Sequence, residues 1–378
     1  MYISLSYATS AIAHKSAKTL AFRQQMLYNS IGRLSGNGSA GKPMLGIYHR
    51  ISENIHRKGK EAMAEIMIMG ELLVEIMRAR EDVQLYETGE AFRGPFPSGA
   101  PGIFASTAAR LGHDTGIISG VGNDDFGKNI LDRLNAVGVD TRRVLVSDAA
   151  ATGAAFVTYF SDGERKFIFH INNTPAVMAK APEMADDLKD CKFFHIMGCS
   201  LMASIPFGQE ILKTMRLLKG LGAKVSFDPN VRLEMLRDPK AMDVVREVYL
   251  NCSIFMPGRS EIRMITGEDD LDKAIAKAFA DNPGLELVVL KSGGEGSKIY
   301  DRNGLAETMG VYKVEQLDAT GAGDSYDAAF ICGLAEGKSL KGAAQMGAAA
   351  GALNAAAFGP MEGDISRQTV EQMIADNQ

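Results

Sequence analysis

The sequence predicts an α/β protein: a mainly parallel central sheet wound with helices, with a small second β-sheet set apart from it. Three observations lead there. From Ile66 onward, short apolar runs alternate with longer segments of helical period, as strands and crossover helices do. One stretch breaks the alternation, because the β-branched or aromatic runs 155–160 and 165–170 flank Ser161-Asp162-Gly163-Glu164, a good hairpin turn. The chain is also long enough for a large core, with 378 residues of which 46% are hydrophobic.

In order, residues 65–77 read as the first strand, with Gly70 allowing a close backbone approach, and 100–111 as a helix stopped by Gly112. A strand over 114–121 and a helix over 126–137 follow. Residues 192–197, 224–227, 253–256 and 285–290 are four further short apolar runs. Between the first two, Phe207, Ile211, Met215 and Leu218 recur at helical spacing. The last third reads as helical over 321–334, 340–357 and 369–375. A hairpin inserted in an α/β chain projects from the main sheet. With about 78–98, the segment 152–172 is expected to form a small sheet that covers the carboxyl ends of the strands as a lid.

Charge divides the chain in two. Residues 1–60 hold nine Lys or Arg against one acid, Glu53, and the whole chain nevertheless carries −5. This leader, 1–62, lacks a sustained hydrophobic period. A disordered tail, an Arg-rich and acid-poor targeting peptide, and residues upstream of the true start compete. The last is favoured, because Met63 and Met67 stand at the first strand. The fold is therefore expected in 63–378. A mildly acidic chain without a basic stripe is a poor nucleic-acid binder. No run of about 18 apolar residues exists to span a membrane. Cys191, Cys199, Cys252 and Cys332 form no CxxC pair and read as reduced core thiols of a cytoplasmic protein. His113, His170 and His195 show no metal-ligand spacing, and the 20 methionines read as pliable core.

The stretch richest in chemistry is Asp318-Ala319-Thr320-Gly321-Ala322-Gly323-Asp324, followed by a small-residue helical segment. Its glycines let backbone N–H groups converge, and the helix beginning there turns its positive end to the same point. A transferring phosphoryl group needs such preorganised donors. Asp324, in the first turn, is placed to take a proton from a hydroxyl beside them. Taken alone, the stretch also suits an ordinary Gly-rich loop.

Other segments lift it above that. Ser98-Gly99-Ala100-Pro101 running into 105–112, Val121 to Gly127 (VGNDDFG), Gly138-Val139-Asp140-Thr141, Thr152-Gly153 with Asp162 to Arg165, Asp228 to Arg232 (DPNVR), Lys291 to Gly296 (KSGGEG) and Asp318 to Asp324 stand in one order. In order and spacing they resemble the signatures of the ribokinase-like (PfkB) carbohydrate kinases. The resemblance implies a ribokinase-like three-layer α/β/α sandwich with a β-sheet lid, and ATP-dependent phosphorylation of a small sugar.

It also implies roles. Asp324 would be the catalytic base, with Gly321, Ala322 and Gly323 as the anion hole. Lys291, Gly293, Gly296, Thr320, Gly321 and Gly323 would bind ATP, with 355–360 flanking the adenine. Glu75, Gly99, Ala100, Asn172, Arg232 and Asp324 would meet the sugar. Glu261 would orient Mg²⁺ through water, and Asp318 would mark a site for K⁺. The segment around Glu261 departs from the family pattern, since Gly258 stands where Asn is common. Arg232 also suits a salt bridge, and Lys291 a structural role. Lid sheets in this family often pair across a two-fold axis, so a homodimer through the lid is a further expectation.

The substrate is less legible. Ile103 replaces an Asn common in the family, and Glu75 an Asp. Residues 169–173 (FHINN) lack the Arg that would pair with a substrate carboxylate, which needs a charged partner when buried. Asn172 and Asn173 suit neutral hydroxyls. The expected substrate is a neutral ketohexose, fructose or tagatose. The alternative is 2-keto-3-deoxygluconate, served by Arg165 and Arg232, with a nucleoside third. A non-catalytic sugar or nucleotide sensor is the competing class; Gly258 speaks for it and the retained Asp324 against it.

Overall fold

A computed structural model describes residues 64–183, 186–236 and 238–377, so the leader 1–62 and every reading of it lie outside the described residues. The larger sheet has nine strands. In chain order they are β1 (Ile66–Met69), β4 (Thr115–Gly122), β5 (Asp140–Ser147), β8 (Phe193–Met197), β9 (Lys224–Asp228), β10 (Ile254–Phe255), β11 (Leu287–Lys291), β12 (Ser297–Asp301) and β13 (Gly304–Met309). Across the sheet they run β13-β12-β11-β10-β9-β8-β1-β4-β5. All neighbours pair parallel except β11–β12 and β12–β13, which are antiparallel. The smaller sheet, in the order β3-β2-β6-β7, holds β2 (Leu73–Arg78), β3 (Phe92–Ser98), β6 (Gly153–Tyr159) and β7 (Arg165–His170).

Two groups of helices cover the large sheet. One contains α1 (Ala100–Arg110), α2 (Asp125–Val137), α8 (Ala322–Ala335), α9 (Leu340–Ala355) and α10 (Arg367–Asp376). The other contains α3 (Gly198–Ala203), α4 (Ile205–Gly220), α5 (Ala241–Tyr249), α6 (Arg259–Thr266) and α7 (Leu271–Asp281). Helices on both faces explain why β1 (IMIM) and β8 (FFHIM) are buried at every position: a doubly covered parallel strand has no face left for water. The three layers anticipated from the sequence are thus present.

The first strand needs correction. Residues 65–77 are not one strand but two, β1 in the large sheet and β2 in the small one. The break falls at Gly70, where a Cβ would lie 2.3 Å from Pro101 Cγ and 2.4 Å from Ser200 Oγ. The chain passes there through a gap too narrow for a side chain and leaves the sheet. An apolar run carries no mark of which sheet each half joins. The small sheet accordingly begins at Leu73 rather than about residue 78. Its β2–β3 connection is fastened by Arg78, whose guanidinium donates to the carbonyls of Gln84, Leu85, Glu87 and Glu90 at 2.6–3.2 Å and lies 4.0 Å over the Phe92 ring.

Several elements had no clear sequence signal. Strands β5 and β13 lie at the two edges and are only partly buried, and β12, next to β13, alternates buried with half-buried or exposed positions. All four cysteines are free and buried. Among the described residues no helix is long and apolar enough to cross a membrane.

Candidate active site

Two cavities meet at the N-terminus of α8. The inner one lies between the small sheet and the carboxyl ends of the large-sheet strands, where open α/β sheets bind ligands. Glu71, Leu73 and Glu75 line it from the first crossing, and Ser98, Gly99, Ala100 and Ile103 from the start of α1. Arg165, Phe167 and Phe169 come from β7, Asn230, Arg232 and Met235 from the segment after β9, and Cys199, Thr320, Gly321 and Asp324 complete it. It measures about 60 Å³. The outer cavity is far larger, about 590 Å³. Its walls include Lys291, Gly293, Gly296, Tyr312, Ala322, Gly323, Tyr326 and, on α9, Ala348, Gly351, Ala352 and Ala355. The small side chains of α9 leave a flat slot, and Tyr326 braces it by a 2.7 Å bond between its hydroxyl and Ser297 Oγ.

Gly321, whose φ of 79° is left-handed, precedes the first turn of α8, and no side chain caps that turn. Ala322 N donates to Ala319 O at 3.3 Å, and the remaining uncapped N–H groups of the turn and the helix dipole lie at the junction of the cavities. Gly321 and Asp324 face the inner cavity, and Ala322 and Gly323 the outer one. Asp324 is 8% exposed, and Asn230 donates its side-chain amide to Oδ1 at 3.1 Å. Burial first, then the Asp228 carboxylate, pushes the Asp324 carboxyl up to about 7 against the pull of Lys291 and Arg232. Such a value suits a group that takes and releases a proton near neutrality.

Lys291 is held rather than free. Its Nζ lies 2.8 Å from both Asp228 Oδ2 and Asp327 Oδ2. Burial would draw the ammonium down, but Asp228, Asp327 and Glu261 outweigh it and raise it. The bridge ties the end of β11 to β9 and to α8.

Glu75 is buried, and its Oε2 has no hydrogen-bond partner. Burial, with Asp318 and Asp324 adding to it, lifts its carboxyl to about 8. Glu71 accepts from Cys199 Sγ at 3.2 Å and from Ser200 Oγ, and burial raises it too. Arg165 and Arg232 each lie 6.0 Å from the Phe167 ring, which itself stacks on Phe169.

Most of the residues singled out from the sequence converge on this junction, with four differences. Thr320 and Gly321 line the inner cavity, not the nucleotide-sized one. Asn172 does not line the inner cavity; β7 ends at His170, and its alternation points Arg165, Phe167 and Phe169 inward instead. Of 355–360, only Ala355 lines the outer cavity, while Gly359 N donates to Asp318 Oδ2 at 3.0 Å. Glu261 and Asp318 line neither cavity. Glu261 accepts from Val231 N at 2.8 Å and Gly258 N at 2.7 Å. Sequence reading overlooked Phe167 and Phe169, which the period-2 pattern of β7 could have offered, and Asp327, three residues after Asp324 on α8.

An uncapped helix start between a slot with glycines along its rim and a second cavity with a buried carboxyl defines a small-molecule phosphotransferase of the α/β class. The pattern of the pfkB family carbohydrate kinases matches residues 63–366, and the chain belongs to that family: it is a sugar kinase. Fructokinase-1 of Oryza sativa subsp. japonica is 30% identical over 300 residues, covering 77% of this chain and 91% of that protein. Fructokinase-2 of Solanum lycopersicum is 28% identical over 284 residues, 75% and 85% of the two chains. A protein of Escherichia coli assigned as a ribokinase II, solved in complex with ATP and Mg²⁺, is 38% identical with a TM-score of 0.76. That likeness covers 83% of this chain and 99% of the other.

Proposed function

We propose that this kinase transfers the γ-phosphoryl of ATP to a primary hydroxyl of a neutral ketohexose, fructose foremost. The observation that carries the reading is the position of Asp324, a buried carboxyl standing where the two cavities meet, with a raised pKa and an amide partner. The fructokinase relatives support the sugar, and the ATP complex of the 38% identical relative supports the nucleotide.

In this reading ATP lies in the outer cavity with its phosphates against Gly293, Gly296 and the start of α8. The sugar lies in the inner cavity beside Glu75, Gly99, Ala100 and Arg232. The hydroxyl oxygen bonds to the γ-phosphorus as its proton passes to Asp324, and ADP leaves carrying the former bridging oxygen. Gly321 and Gly323 offer backbone donors to the charge that develops; Ala322 N–H, expected as a third, donates to Ala319 O, and Lys291, paired with Asp228 and Asp327, holds the end of β11 beside the cradle. The small sheet closes the inner cavity to water, which would otherwise take the phosphoryl group.

Mg²⁺ suits the residues present. It keeps most of its waters, and each Glu261 oxygen spends only one hydrogen bond on the backbone, leaving acceptors for a water of the metal's shell. When bound with the nucleotide, the ion supplies charge neutralisation. K⁺ suits them less: Asp318 already accepts from Thr320 N, Tyr159 Oη and Gly359 N. The outer face of the small sheet, where Phe92 and Ile168 are 41% and 45% exposed, supports pairing with a second copy. Size-exclusion chromatography with light scattering tests it.

A second reading, a sugar acid such as 2-keto-3-deoxygluconate, is favoured by one observation, the two arginines in the inner cavity. A coupled assay with ATP and Mg²⁺ against ketohexoses, aldohexoses and sugar acids separates the two. Turnover confined to sugar acids would sink the neutral-sugar assignment.

A further inference from the structure

The inner cavity, at about 60 Å³, is well below the roughly 300 Å³ at which small-molecule sites begin. The small sheet supplies one wall of that cavity through Leu73, Glu75, Arg165, Phe167 and Phe169, so its movement away from the large sheet would admit a hexose. What holds it down is therefore part of the reaction.

One side chain bridges the two bodies at the phosphate cradle. Tyr159 ends β6 in the small sheet, paired in register with Arg165. Its hydroxyl lies 2.9 Å from Asp318 Oδ1 and 2.5 Å from Thr320 Oγ1. A phenol has one proton, and the carboxylate takes it, so Thr320 donates to the phenol oxygen. The same Asp318 Oδ1 accepts the Thr320 backbone N–H at 2.9 Å. Asn354 Nδ2 donates to Thr320 O at 2.7 Å, and Thr320 is followed directly by Gly321 and the first turn of α8. Burial, and then Asp318, raises the Tyr159 phenol, which keeps it protonated as the donor.

We propose that Tyr159 is a positioning residue, a latch through which closure of the small sheet over the sugar fixes the anion cradle at Thr320–Asp324. With the sheet lifted, both Tyr159 bonds are broken, and Thr320 keeps its bonds to Asp318 and Asn354 but loses its tie to the small sheet. With the sheet closed, the cradle and Arg165 on the sugar's wall are set together. Phosphoryl transfer is thereby tied to the presence of sugar. This rests on the sugar-kinase reading only for its activity readout.

Tyr159→Phe keeps the ring and removes both bonds. For ATP, Mg²⁺ and fructose, the expected result is a fall in kcat of at least about tenfold, with KM for ATP changed less than about twofold. ATP hydrolysed without sugar, relative to sugar phosphate formed, should rise by at least about tenfold, a ratio that simple loss of stability leaves alone. Thr320→Val should act likewise, and the double variant no worse than either single one. A wild-type coupling ratio in Tyr159→Phe, or additive losses in the double variant, overturns the latch. Hydrogen exchange supplies a test free of activity: in Tyr159→Phe the Thr320 amide and the 153–170 hairpin should exchange faster together. Unchanged Thr320 exchange overturns the latch. Accelerated exchange in a protein whose wild type phosphorylates no sugar supports the latch and removes the substrate reading instead. Should the variant fail to fold, the wild type is compared with and without fructose plus a non-hydrolysable ATP analogue. Thr320 and hairpin protection must then rise together, and independent responses overturn the proposal.

Discussion

Asn230 and Asp324, 94 positions apart in the chain, are joined by a 3.1 Å hydrogen bond from the Asn230 side-chain amide to Asp324 Oδ1. Asn230 reaches it from a left-handed backbone, φ 36°, a region Asn tolerates better than most residues. The bond fixes one carboxylate oxygen and leaves Oδ2 for an incoming hydroxyl.

Asp324→Asn keeps the shape of that side chain and its place beside Asn230 but removes the proton acceptor. Turnover should fall about 10²–10⁴-fold, the range of a positioned general base. ATP affinity, measured by calorimetry, should stay within a few-fold. Turnover within tenfold of wild type would remove Asp324 from the base role.

The rate should also follow the ionisation of Asp324. Only the carboxylate accepts a proton, so kcat/KM should rise with pH through about 7 and level off above it. Arg232 is one of the charges that hold that pKa down. In Arg232→Met the rising limb should therefore move to higher pH, apart from any loss of affinity. A limb that moves down, or stays, contradicts the electrostatic account.

Lys291 balances two buried carboxylates, Asp228 and Asp327, at 2.8 Å each. Lys291→Met leaves the Asp228 carboxylate, which the ammonium holds below its ordinary value, without its counter-charge, and Asp327, whose carboxyl burial raises, without its partner. Breaking a buried pair from one side costs about 3–5 kcal/mol, to be read from urea denaturation at neutral pH. A loss below about 1 kcal/mol would show that water or a shared proton compensates.

Glu75 makes stability depend on pH. Its carboxyl stands at about 8 in the folded protein, against about 4.3 in an unfolded chain. A group raised on folding gives its stability fully below the unfolded value and loses it as pH rises through the folded one. Gln does not titrate. The stability of wild type minus that of Glu75→Gln should thus fall between pH 5 and pH 8, by about 4 kcal/mol at most. Urea titrations of both proteins at the two pH values measure it, and a difference that does not change with pH refutes the shift.

Much of this was legible in the residues. The apolar runs at 192–197 and 224–227, and the Phe207–Leu218 spacing, became β8, β9 and α4 because strands and helices write their period locally. The motifs at 98–101, 228–232, 291–296 and 318–324 each put side chains or glycines on one or other cavity for the same local reason: each closes a strand or opens a helix at the same end of the sheet.

The rest depends on partners far along the chain. Nothing between Glu65 and Met77 says that the run crosses from one sheet to another; the contacts of Gly70 with Pro101 and Ser200 decide it. Asn172 reads as a sugar ligand by composition, yet the strand ends before it and directs Phe167 and Phe169 inward. Asp327 reads as an ordinary helical acid until β11 brings Lys291 to it, and Tyr159 as a strand aromatic until its hydroxyl meets Asp318. The sequence by itself determined most of the strands and helices and the Gly-rich turn before Asp324, since these rest on local period and on glycines whose backbone freedom is intrinsic. The tertiary structure alone decided which charges face one another, how far burial moves Glu75 and Asp324, and what fastens the small sheet. Electrostatic energy and desolvation depend on distances through space, and those distances are set by packing rather than by position along the chain.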